Sequence, residues 1–185
     1  MFMTERHYPL ALKIAIVSLL AFDVVILFHN MCLGSIIFWF CLVFFFAILN
    51  SWMAAENDEF VYGDPFLLND ATCTALFFLI LLELYNHTYN NILLYSSLIF
   101  ILYYFWNKLL IARKYIEEVD LLNFQRSNVV AAVYSLSAWS IIQWIQISSL
   151  LIDLLNVAGI ITWFLLLLVW YKETYTKERD TNSIM

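Results

Sequence analysis

Two carboxylic acids interrupt otherwise apolar stretches of this chain. Asp23 falls near the middle of the segment from Leu10 to Phe28, and Glu83 near the end of a segment that closes at Tyr85. An ionised Asp at the centre of a bilayer costs roughly 2.5–3.5 kcal/mol on insertion scales, so Asp23 must face protein or water, or carry a proton. Taken as a pair, the two acids could form part of a proton or cation path. Taken separately, Asp23 is a neutral or hydrogen-bonded packing group and Glu83 reaches the headgroup region.

A second set of polar groups is periodic. Ser137, Ser140, Gln143 and Gln146 recur every three residues, with Ser149 continuing the spacing and Asp153 just beyond. At about 100° per residue, three consecutive members share one broad helical face. Small hydroxyls and amides there suit hydrogen bonds between membrane helices, worth about 0.6 kcal/mol each. The alternative is the lining of a polar cavity.

The third set is "AENDEFVYGDPFLLND", residues 55–70, with five acids and no Lys or Arg. A calcium loop needs acids at alternating positions, a sharp Gly turn and a closing Glu in a fixed order. The ingredients are present but the order is not, so no metal site is expected. Acids interleaved with Phe60, Tyr62 and Phe66 suit protein docking instead, with charge steering the encounter and buried rings supplying affinity. Residues 112–128, "ARKYIEEVDLLNFQRSN", repeat the theme with Glu117, Glu118 and Asp120. The plainer reading of both is a solvated connector.

Enzyme chemistry finds little support. The three histidines, His7, His29 and His87, form no H-E-x-x-H spacing, and no serine elbow occurs. Cys32, Cys41 and Cys73 form no CxxC pair. No catalytic residue, cofactor or metal is expected. The net charge of −6 argues against direct nucleic-acid binding, which needs a basic face.

What must position these groups is set by composition. The chain of 185 residues is 64% hydrophobic and 13% charged, against about 45–50% and roughly 25% in soluble domains. A lipid-facing exterior accommodates that surplus. With about 20 apolar residues per crossing, the expected architecture is an all-α integral membrane bundle of about six helices. The expected spans are 10–28, 36–55, 66–85, 91–112, 129–148 and 150–171, with a charged tail at 172–185. The third is long enough if Pro65 opens its helix or if the bilayer thins locally. The turn between the last two is placed at 148–153, and five or four crossings remain open.

Orientation follows the basic residues. With six crossings, both termini and the 56–70 and 113–128 loops share one side. All nine basic residues, from Arg6 to Arg179, then lie on that side or at its membrane edge. The opposite loops, "HNMCLGS" and "NHTYNN", carry none. That side is expected to be cytoplasmic. Trp52, Trp106 and Trp170 suit an interfacial belt, while Trp39 and "FWFCLVFFF" go deeper and suit a lipid face or a subunit interface.

A small polytopic chain with compact outer loops and acidic–aromatic cytoplasmic loops resembles membrane subunits of bacterial anti-phage defence systems, the Kiwa membrane subunit among them. The resemblance lies in architecture alone and carries no site residue. It implies a bacterial inner membrane, a homo-oligomer and a soluble cytosolic protein partner. The expected function is therefore a non-enzymatic oligomeric sensor or scaffold that docks this partner. The alternative is a small channel or transporter using Asp23, Glu83 and the polar face of the fifth span.

Overall fold

The computed structural model describes residues 9–56, 64–89, 91–112, 118–145 and 148–182. Six helices account for nearly all of them: α1 (Leu10–His29), α2 (Ile36–Glu56), α3 (Asp64–Tyr85), α4 (Ile92–Ala112), α5 (Glu118–Trp144) and α6 (Ser149–Asn182). The described residues contain no strand.

Four helix ends have a clear local cause. Pro9 precedes α1, and its carbonyl accepts the backbone N–H groups of Leu12 and Lys13 at 3.0 and 3.1 Å. Asn30 closes the same helix, donating from its backbone and its side-chain amide to the Ile26 carbonyl at 3.1 and 2.9 Å. Pro65 is the second residue of α3, a position where its missing N–H costs nothing. The α3 segment reaches spanning length in this way. Ser148 opens α6, taking the N–H groups of Leu151 and Ile152 on its carbonyl.

Five helices are long and apolar enough to cross a membrane: α1, α2, α3, α4 and α6. The chain is a multi-pass membrane protein on this ground. The fifth helix is not among the five, and it differs from the expected span at both ends. It starts at Glu118 and stops at Trp144, so the turn into α6 comes before Ser149. The helical tail runs on to Asn182 rather than ending near Tyr171.

The fifth helix nevertheless packs along α4, the most extensive helix pairing in the molecule. Its faces are inverted relative to a water-soluble helix. Val130 and Val133 are 68% and 61% exposed, whereas Gln125, Asn128 and Ser135 are buried. Apolar groups outside and amides inside are the arrangement that lipid favours. The inward amides are also what lowers its hydropathy.

The helices close into a ring in the order α1, α2, α6, α5, α4, α3 and back to α1, with α2 also meeting α3. At the centre stands Trp163 of α6, 2% exposed. Its ring meets Phe44 of α2 at 5.3 Å, Phe77 of α3 at 6.0 Å, and Phe100 and Tyr103 of α4 at 4.4 and 6.4 Å between centroids. Its indole N–H donates to the Ser96 hydroxyl at 2.9 Å. One turn earlier, Gly159 lets α6 approach α4, because a Cβ there would lie 2.7 Å from Leu93 Cδ2.

That approach gives a graded expectation. The obstacle is the tip of a flexible side chain, so Gly159→Ala should leave the melting temperature in detergent near wild type. Gly159→Val should cost about 1–3 kcal/mol through overpacking, and adding Leu93→Ala should recover part of that loss.

Candidate functional site

Polar groups gather inside the bundle at the end where α2 and α4 finish and α3 and α5 begin. Asn50 and Ser51 come from α2, Asn69 and Asp70 from α3, Tyr103 and Asn107 from α4, Gln125 and Asn128 from α5. The Tyr103 hydroxyl lies beside that of Ser51, with Asp70 and Cys73 near it. Asn69, Asn107, Gln125 and Asn128 are all buried. Within this layer a cavity of about 20 Å³ is bounded by Asn50, Phe100, Tyr103, Phe124, Trp163 and Trp170.

Apart from Asp70, the last acid of the 55–70 stretch, none of these groups belongs to the acidic or periodic sets that stand out in the sequence. The available signal was weak: single amides at helical spacing inside apolar text, such as Asn107 in "YFWNKLL" and the Gln125–Asn128 pair three residues apart.

Asp23 is buried as expected of an intramembrane acid, at 1% exposure. It sits on α1 against α2, where the Cys41 thiol is its polar neighbour. Neither carboxyl oxygen has a hydrogen-bond partner of good geometry.

Glu83 has a different role from the one expected. It is half-buried, and its carboxylate takes the Asn91 backbone N–H at 3.0 Å and the Asn91 side-chain amide at 2.8 Å. Its backbone carbonyl takes the Thr88 N–H at 2.9 Å, while His87 adopts φ 54° and donates its N–H to Leu84. This is a left-handed C-terminal helix cap. The Glu83 carboxylate then spans the turn to the start of α4. Both of these carboxylate bonds serve the α3–α4 connection.

The periodic stripe of α5 also departs from expectation. Ser137 and Gln143 are exposed, and Ser140, though partly buried, donates to the Leu136 carbonyl of its own helix at 2.8 Å. A serine that satisfies itself on the preceding turn can face lipid. The helix-to-helix bonds come from other residues: Ser97 of α4 donates to the Ala132 carbonyl at 2.9 Å, and Tyr134 to the Leu155 carbonyl at 2.8 Å. The close face of α5 is the small-residue set Ala131, Ala132, Ser135 and Ala138. The stripe advances 300° per step, so it winds away from the contact, whereas the true seam keeps steps of three and four. Asp153 is likewise exposed. Gln146 lies outside the described residues.

Of the docking groups, Phe66 is corrected. It is 2% exposed and packs edge-on against Trp106 at 4.9 Å, tying the start of α3 to the end of α4. Its ring is spent inside the bundle. Glu56 ends α2, Asp64 begins α3, and Glu118 and Asp120 lie in the first turn of α5. Asp58, Glu59, Phe60, Tyr62 and Glu117 lie outside the described residues.

On the outer surface an apolar groove of about 450 Å³ runs between α2 and α6, with Trp39, Phe46, Ile161 and Phe164 on its walls. The Trp39 indole is held by the Leu33 carbonyl at 2.8 Å. His29 and Cys32, at the same end, are both exposed. His29 Nδ1 lies 2.9 Å from the Val25 carbonyl. Among the described residues no three His, Cys, Asp or Glu groups converge on a metal position.

No family model matches the chain, and neither a curated protein nor a solved structure matches it at a significant level.

The role of Glu83 can be measured directly. Glu83→Ala removes both acceptors and should lower the unfolding free energy by about 1.5–3 kcal/mol, the range for hydrogen bonds to charged groups. Glu83→Gln keeps one oxygen and should lose roughly half as much by the same scale. Thermal unfolding in one detergent, with both variants side by side, checks the order.

Proposed function

We propose that this protein is a non-enzymatic membrane scaffold or sensor that docks a soluble cytosolic protein through the acidic ends of its helices. The observation that carries this reading is the closed interior. Trp163 and the rings of Phe44, Phe77, Phe100 and Tyr103 fill the middle of the helical ring, where a conducting path would have to pass. Such a bundle is suited to hold and present its ends rather than to transmit a solute.

Glu117, Glu118 and Asp120 follow Arg113 and Lys114 in one connection at the proposed docking end, whereas the stretch from Glu56 to Asp64 carries four acids with no Lys or Arg. Anionic lipid repels it, so its carboxylates project towards the cytosol under the proposed orientation. A partner with a basic face fits this charge. Phe60 and Tyr62 remain the aromatic anchors, without Phe66. A homo-oligomer completes the proposal, with the deep aromatic face of α2 at Trp39 and Phe46 as the contact between copies. Resemblance to the Kiwa membrane subunit extends the proposal to a bacterial inner membrane and anti-phage defence.

A second reading, proton or cation transport, is favoured by one observation: the buried Asp23 carboxyl with both oxygens unpartnered. Under the leading proposal Asp23 is a packing group.

Two experiments separate these readings. Changing Glu56, Asp58, Glu59 and Asp64 to Gln or Asn should release the partner that co-purifies with the tagged protein in mild detergent, while the bundle keeps its melting temperature. Retention of the partner would overturn loop docking. Reconstituted in liposomes, the wild-type protein should show no proton or cation flux above empty vesicles. A flux that Asp23→Asn abolishes would establish transport instead.

A further inference from the structure

The cavity within the polar layer combines three observations that the docking function does not use. Its volume of about 20 Å³ exceeds the roughly 10–15 Å³ that one water molecule needs. Asn50 lies on its wall, and the Asn50 Oδ1 atom is fully buried without a hydrogen-bond partner. Tyr103 lies on the same wall, and its hydroxyl faces Ser51, the residue next to Asn50.

The surroundings point the same way. Phe124, also on the wall, adjoins Gln125, which is 4% exposed with an unpartnered Nε2; Asn128 is one turn on, fully buried, with both amide atoms unpartnered. Asn107, one turn from Tyr103, has an unpartnered buried Nδ2. A buried polar group without a partner costs about 1–3 kcal/mol. Lipid offers it no alternative, because the hydrocarbon core has no hydrogen-bonding groups. An apolar guest would leave the Asn50 acceptor unsatisfied. The volume admits nothing larger than a water-sized molecule.

We propose that this cavity is an internal water site, in which one ordered water donates to Asn50 Oδ1 and exchanges a hydrogen bond with the Tyr103 hydroxyl. The water joins α2 to α4 immediately beneath Trp163 of α6. It places a polar, exchangeable group against the aromatic plug.

Radiolytic hydroxyl labelling tests the proposal, because bound water yields radicals beside the side chains it touches. The full chain is irradiated in lipid nanodiscs and oxidation is read by mass spectrometry. Phe100 and Phe40 form a matched pair: both are phenylalanines with no exposure, and Phe100 alone lines the cavity. Phe100 should label several-fold faster than Phe40. Asn50→Leu removes the acceptor at similar size and should bring Phe100 down to the Phe40 rate. Equal labelling of the two rings in the wild type overturns the proposal. So does an excess at Phe100 that survives Asn50→Leu while Phe40 is unchanged. Should the variant misfold, visible as faster Phe40 labelling, the wild-type pair decides alone.

Discussion

The structure depends on one side chain having neighbours on three other helices. Trp163 of α6 reaches the centre of the ring, spends its indole N–H on Ser96 of α4, and lays its faces against rings from α2, α3 and α4. In lipid, apolar residues gain nothing by leaving the solvent for one another, so helix association rests on packing and on satisfied polar atoms. Trp163 supplies both at one point. Ring edges against ring faces fix the angles, and the single hydrogen bond fixes depth. Gly159, a turn away, provides the clearance that lets α6 come close enough.

The same constraint explains the inside-out distribution of polarity. Asp23, Asn69, Asn107, Gln125, Asn128 and Asn156 are buried, while Leu, Val and Phe side chains cover the outside. Serines and threonines solve their problem locally by donating to the carbonyl four residues back, as Ser18, Thr72 and Thr162 do. Amides and carboxyls are too large for that solution on both of their polar atoms. Asn69, Asn107, Gln125 and Asn128 collect inside at the end of the bundle where the acidic connections join it, while Asp23 and Asn156 are buried away from that end. A polar interior at one end and an aromatic plug in the middle give the molecule two unlike halves.

Much of the architecture was legible because crossing a bilayer constrains length and composition so strongly. The helix ends at Pro9, Asn30 and Pro65 follow from single residues of strong local preference. The fifth helix was harder to bound. Its Val130 and Val133 face outward while Gln125 and Asn128 are buried, so its average composition falls between a span and a surface helix, and the turn before Ser148 has neither Gly nor Pro. Glu83 and Phe66 were misread for a shared reason. Each stands close to a helix end, where exposure is the ordinary expectation, and each is claimed by a residue beyond the turn or on the next helix: Asn91 for one, Trp106 for the other. Contacts of that kind depend on tertiary register, and periodicity along one helix does not contain them.

The ring order has a consequence for how the protein is made. Neighbours in the chain are neighbours in space for α1–α2, α3–α4, α4–α5 and α5–α6, but α6 closes the ring by fitting between α5 and α2. A nascent chain released helix by helix into the membrane therefore holds an open five-helix arc until its last segment arrives. During that interval the inner faces of α2 and α4, with Phe44, Ser96 and Phe100, lie open to lipid or to a membrane chaperone. Biogenesis ends in a single late event, the entry of α6, which brings the central tryptophan and joins the two ends of the arc at once.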